Sequence, residues 1–288
     1  MRSSRGLKPS DRIWIDELRG IAAGAGITFS EALALQVRPG TGQMPSGCTA
    51  FGVAADASSD GVPYAGQNRD LGPGYLDRMA VVLLRPAGRL PILMHHVPGE
   101  LGGTGLNGQG VCVFANSLWS KSRSWMAPPI LRRAMLECEN ADAAVRLAQT
   151  TDGPAVGNYL LADPGSHLRN LEIMPEGLAV TARDAGVYAH ANNCTDARLQ
   201  TYEEKNVPLP GSESRRRTAQ RLLDEAAGRI DVAALKSVLA NETDGIEPVC
   251  RRDGPFPTAA GLIAEPVART LHLSYGPPSD GRWATHGI

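Results

Sequence analysis

Apolar and polar positions follow two different periods along this chain. Residues 11–37, DRIWIDELRGIAAGAGITFSEALALQV, carry apolar side chains at helical spacing. The stretch Gly24 to Gly26 divides them into two helices, and Thr28 to Glu31, T-x-x-E, reads as a capping box that opens the second. Residues 38–47, RPGTGQMPSG, form a Gly/Pro-rich linker. After it the period shortens to two. CTAFGVAAD, a turn at Ser58-Ser59-Asp60-Gly61 and VPYAGQNRD make a hairpin signature, and AVVLLRP, LPILMHHV and the strand closing GLNGQGVCVFANSL continue the pattern.

Helical spacing returns over 127–150, APPILRRAMLECENADAAVRLAQT, as two helices meeting near Asn140 with Asp142 in the next first turn. The strands NYLLADP, RNLEIMPEG, LAVTARDAG and VYAHANN follow. Residues 212–240 are helical again, divided at Gly228, and the tail TAAGLIAEP, RTLHLSYGPP, GRWATHGI alternates strand and turn. Hairpins with grouped helices argue against a doubly wound parallel sheet. They fit an α+β arrangement of mostly antiparallel sheets with helices outside.

Composition narrows the classes. The chain has 288 residues, 42% of them hydrophobic, enough for a sizeable core. A net charge of −1 gives no nucleic-acid or anionic-membrane footprint. No apolar stretch follows the basic start MRSSRGLKPSDR, and none approaches the roughly 20 residues of a membrane span, so a soluble, cytoplasmic protein is expected. Cys48, Cys112, Cys138, Cys194 and Cys250 are widely spaced and odd in number, which disfavours a disulfide framework or a zinc knuckle. The six histidines show no ligand spacing, and adjacent His95 and His96 would point to opposite faces of a strand. Neither a metal nor a cofactor is expected.

Cys48 carries the chemistry. It follows Gly47 where the linker gives way to strand. Taken alone this is a buried thiol behind a strand-opening glycine. Cut between Gly47 and Cys48, however, the same residue would own a thiol and a free α-amine. That amine has an ordinary pKa of about 7.7–8.0 and is a competent base for the thiol. Nucleophile and base would then share one residue, with no histidine required.

GCTAF, GQNRD at 66–70, GLNGQGVCVFANSL at 105–118 and HANN at 190–193 together resemble the penicillin acyltransferase family of self-cleaving N-terminal-nucleophile (Ntn) enzymes. More distantly they are similar to choloylglycine hydrolases and penicillin V acylases. ELRGIAAGAG and the tail TAAGLIAEPVARTLHLSYGPP extend the resemblance over nearly the whole chain. It implies a four-layer αββα sandwich with Cys48 at the end of a central strand. Residues 1–47 would be a propeptide that stays bound as a small subunit, and 48–288 the catalytic domain. The resemblance assigns Asp70 to the nucleophile's amino group, Asn192 to the oxyanion and Asn116 to a position near the nucleophile. It assigns Arg215 to the polar network behind the nucleophile, and Gln67 to the substrate side. Asn193 competes with Asn192, and Arg216 and Arg217 with Arg215; Asn68 and His190 read as structural.

The expected activity is acyl transfer or hydrolysis of small amides or thioesters through a Cys48 thioester, with an amine or water as acceptor. A pure amidohydrolase of N-acyl amino acids or lactams is the alternative within catalysis. An uncleaved, inactive binding protein is the alternative outside it.

Overall fold

The structure is a computed structural model describing residues 9–37, 47–122, 127–151, 153, 155–204, 211–243 and 248–288. The expected linker lies outside them except for Gly47, which opens the first strand. Two antiparallel sheets face each other. The six-stranded sheet contains β1 (Gly47–Val53), β2 (Tyr64–Asp70), β10 (Val187–His190), β11 (Thr258–Glu265), β12 (Thr270–Ser274) and β13 (Trp283–Gly287), in the order β10-β1-β2-β11-β12-β13. The seven-stranded sheet runs in chain order through β3 (Ala80–Leu84), β4 (Ile92–His96), β5 (Thr104–Asn107), β6 (Cys112–Asn116), β7 (Gly157–Ala162), β8 (Leu168–Met174) and β9 (Gly177–Arg183). Helices α3 (Pro128–Met135) and α4 (Ala141–Thr150) cover the outer face of the second sheet; α5 (Ser212–Ala226) and α6 (Val232–Leu239) cover that of the first. The layers are therefore αββα.

Residue size explains how the sheets close on each other. The first sheet offers mainly small side chains at its centre, Ala50, Ala65, Ala260 and Ala264, against Leu93, Leu106, Phe114 and Leu160 of the second. Small facing large lets the two layers interdigitate at native packing density. Each fully buried Leu or Phe contributes about 1.5–3 kcal/mol. Local signals set the helix starts. Thr28 and Glu31 form the reciprocal capping pair, 2.7 Å from the Thr28 N–H to Oε2 and 3.2 Å from the Glu31 N–H to Oγ1. Asn140 and Asp231 cap α4 and α6 through the N–H groups of Ala143 and Ala234.

The N-terminal helices α1 (Pro9–Ala25) and α2 (Phe29–Val37) pack Leu18, Ala22 and Ala32 on Leu101 and Ile130. Polar contacts fix this docking. Buried Gln36 donates to Gly99 O (2.6 Å) and accepts from the Leu101 N–H (2.8 Å), while buried Arg133 reaches Glu17 (2.8 Å) and Glu137 (2.9 Å).

Candidate active site

Cys48 lies second in β1, the strand between β10 and β2 in the six-stranded sheet, and is buried. Its strand pairs with β2 in a register that sets Gly47 against Asp70, Cys48 against Arg69 and Thr49 against Asn68. Strand alternation sends side chains to opposite faces. Cys48 and Arg69 therefore face the second sheet, while Gly47, Thr49 and Asp70 face α5.

On the α5 side, a polar network grips the peptide units around Cys48. The Cys48 N–H donates to Asn192 Oδ1 at 2.8 Å. Arg215, fully buried, donates through Nη1 to Cys48 O (2.8 Å) and Thr49 Oγ1 (2.9 Å), and through Nη2 to Asn192 Oδ1 (2.9 Å). The same Nη1 lies 3.6 Å from Asp70 Oδ2. Asp70 Oδ1 accepts from Thr258 Oγ1 at 2.7 Å. Asp70 also explains the glycine before the cysteine. A Cβ on Gly47 would stand 2.8 Å from Asp70 Oδ2 and 3.1 Å from its Cβ, closer than real side chains approach.

Of the three adjacent arginines, only Arg215 is fully buried; Arg216 is half-buried and Arg217 exposed, both near Glu213. Gly211, in the left-handed region at φ 80°, opens α5 and aims this first turn. Ser212 Oγ ties the turn to the Asn192 loop, accepting from the Asn192 N–H at 2.8 Å and donating to Asn193 Oδ1 at 2.7 Å.

The amide side chains around Cys48 take specific partners. The Asn192 side chain presents its carbonyl oxygen to Cys48 and Arg215, and its amide donates to Ser117 O at 3.0 Å. Asn116 spans the sheets, donating to His190 O (3.0 Å) and Ala191 O (2.8 Å). Gln67 is fully buried and donates to Ala115 O and to Asn116 Oδ1, so in this form it braces the two sheets. Asn68 donates to Leu239 O (2.8 Å) and Val249 O (2.9 Å), a structural tie between parts of the chain far apart in sequence.

Three participants escaped the sequence reading. Arg69 was visible inside GQNRD, two residues from Gln67 and so on its face, but only the register puts it beside Cys48. Thr258 and Glu172 had no local signal. Glu172, on β8, accepts from His190 Nε2, the Thr195 N–H and Oγ1, and the Asp196 N–H, all between 2.7 and 2.9 Å. It thereby holds the loop that carries Asn192. Burial pushes the Glu172 carboxyl up, but the hydrogen bonds from His190, Thr195 and Asp196 outweigh it and bring it down to about 2.

Burial pushes the Cys48 thiol up to about 11; Arg69 and Arg215 pull against this, and Asp70's charge adds to it. In this structure burial therefore favours the protonated thiol at neutral pH. The other cysteines belong elsewhere: Cys112 to the core between the sheets, Cys194 to a cluster with Leu118, Met174 and Leu199. Among the described residues, no group of three or more His, Cys, Asp or Glu could hold a metal ion.

The architecture recurs in solved Ntn-hydrolase-fold proteins. A variant of conjugated bile acid hydrolase from Clostridium perfringens aligns with a TM-score of 0.60 at 12% identity, over 83% of this chain and 92% of that one. Penicillin V acylase from Agrobacterium tumefaciens aligns at 0.53 with 14% identity, over 79% and 82%. The Caenorhabditis elegans ortholog of N-acylethanolamine-hydrolyzing acid amidase aligns at 0.54 with 16% identity, over 84% and 100%. The chain thus has the Ntn-hydrolase fold. Its sequence matches the acyl-coenzyme A:6-aminopenicillanic acid acyl-transferase family over residues 57–280, well over half its length, and it belongs to that family. Cys48 lies just before the matched segment. No curated protein matches it significantly.

Proposed function

We propose that the chain cuts itself between Gly47 and Cys48 and then acts as an N-terminal cysteine acyltransferase or amidohydrolase on small acylated substrates. One observation carries this reading. The two peptide units that flank the Cys48 side chain are both held, the scissile one by Asn192 on the Cys48 N–H and the next by Arg215 on Cys48 O, with the Asp70 carboxylate against the side-chain-free Gly47. A structural thiol needs none of these.

In the first step Cys48 Sγ attacks the Gly47 carbonyl carbon. The thiol proton passes to the Cys48 nitrogen as the C–N bond breaks, leaving a Gly47 thioester and a free α-amine. Water then cleaves the thioester, giving a Gly47 carboxylate and restoring the thiol. The new amine lies where the Cys48 N–H was, facing Asn192 Oδ1, with Asp70 and Arg215 close by. It can take the thiol proton as Sγ attacks a substrate carbonyl, and return it to the leaving amine or thiol. Water or an amine then takes the acyl group from Cys48. An amide donor turned toward the tetrahedral oxygen would stabilise its charge. Asn192 Nδ2, now on Ser117 O, becomes that donor once cleavage relaxes its partners. Residues 1–47 remain as a small subunit, held by Gln36 and by the Glu17–Arg133 pair.

Intact mass tests the reading. Wild type resolves into two fragments cut before Cys48, Cys48→Ala stays whole, and an acyl donor adds one acyl mass to the large fragment alone. Persistent full-length wild type, or an adduct on any other cysteine, would refute it. Adding amines to the acylated enzyme and counting acyl-amine against free acid separates transferase from hydrolase.

A further inference from the structure

The inner face of the first sheet carries a cation in an unusual setting. Arg69 pairs across β2 with Cys48 on one side and with Ala260 of β11 on the other. It is half-buried, and among the described residues it makes no ion pair; its hydrogen-bond partner there is His95 Nδ1 at 3.3 Å. Burial, reinforced by Arg69 and His96, pushes the His95 imidazole well below its ordinary range. The ring is therefore neutral, and Nδ1 can only accept from the guanidinium. A neutral acceptor leaves Arg69 without an anion in contact among the described residues, with Glu100 acting on it only at longer range. A partly desolvated guanidinium is costly without an anion and binds carboxylates in a two-pronged geometry when one is supplied.

Beyond Arg69 the sandwich opens into a cavity of about 380 Å³. Its lining is mainly apolar, with Val81, Ala260, Leu273 and Tyr275 beside His95, and Ser274 and Arg282 add polar groups to it. Neighbouring strands lie about 4.8 Å apart, so Cys48, Arg69 and Ala260 form a row spanning about 10 Å. Thiol, cation and apolar cavity follow one another along that row.

We propose that Arg69 is the specificity-determining residue of this site, anchoring a carboxylate on the amine side of the scissile bond, so that preferred substrates are N-acyl amino acids. An α-carboxylate is three bonds from the scissile carbonyl carbon, about the ~3.5 Å advance of one extended residue. The step from Cys48 to Arg69 is one strand spacing, about 4.8 Å, so the guanidinium spans the difference to the carboxylate and the amino acid's side chain enters the cavity beyond. In transfer, the same anchor selects amine acceptors bearing a carboxylate.

The proposal rests on Cys48 as the acylated residue, and two experiments on the processed protein separate the two claims. The first needs no turnover. Alkylation of Cys48 is timed with iodoacetate, an anion, and with neutral iodoacetamide of nearly the same shape. Replacing Arg69 by Met should lower the iodoacetate-to-iodoacetamide rate ratio about tenfold or more, and Arg69→Lys should restore part of it. A residue that merely tuned the thiol would change both rates together. The second compares kcat/KM for an N-acyl-alanine with that for the matching N-acyl-ethylamine. Wild type should favour the carboxylate by about 10- to 100-fold, and Arg69→Met should lose at least about tenfold more on the carboxylate substrate than on the neutral amide. Equal loss on both substrates, an unchanged reagent ratio in a variant that melts like wild type, or a Cys48 that neither reagent reaches would overturn the anchor. Failure of any donor to acylate Cys48 would instead refute the enzymatic reading.

Discussion

Arg215 offers the sharpest energetic test of the network behind Cys48. Replacing it by Met keeps the length of the side chain and removes its charge and three donated hydrogen bonds, to Cys48 O, Thr49 Oγ1 and Asn192 Oδ1. It also removes a cation from beside Asp70, whose carboxylate is fully buried. Removing one partner of a buried ion pair costs about 3–5 kcal/mol, chiefly because the other charge is stranded. For a chain of this size that is a fall in melting temperature of roughly 6–20 °C. Arg215→Met, Asp70→Asn and the double variant would be unfolded in denaturant in a Cys48→Ala background, where the chain should stay in one piece. If the two groups share one network, the double variant loses about 1–3 kcal/mol less than the sum of the singles. Additivity within about 0.5 kcal/mol, or a loss below about 1 kcal/mol for Arg215→Met, would refute the network as described.

Two further outcomes follow from the same geometry. Glu172, ordinarily near 4.5, is held down to about 2 in the folded chain, so its stabilisation is complete above about pH 4.5 and fades as pH falls toward 2. Unfolding measured between pH 5 and 3 should show wild type losing more stability than Glu172→Gln, and parallel curves would contradict this. Gly47→Ala places a methyl 2.8 Å from Asp70 Oδ2, where the neighbour is anchored by Thr258. Overpacking of this kind costs about 1–3 kcal/mol; mass analysis over time should show slower self-cleavage alongside a lower melting point, and wild-type values for both would contradict the contact.

Much of the fold was legible because it is decided within a few residues of chain. The capping pair Thr28 and Glu31, the caps Asn140 and Asp231, and the switch from helical to alternating spacing after residue 47 all act locally, and a linear reading finds them. The short turns that join the strands also favoured antiparallel sheets. Cys48 behind Gly47 was visible as a candidate for the same reason: the two residues are adjacent.

What required the tertiary structure was every choice set by partners distant in the chain. Asn68 bonds carbonyls 171 and 181 residues away. Arg215, and not its neighbours, turns inward because Cys48, Thr49, Asp70 and Asn192 lie under the first turn of α5. Gln67 became an internal brace when the second sheet closed over it, and Arg69 came to face the thiol through strand register alone. Sequence fixes which groups a chain carries and which face of an element each takes. Only the packing of sheet on sheet and helix on sheet decides which charges meet, because electrostatic partnership depends on distance in space and on water excluded from around it.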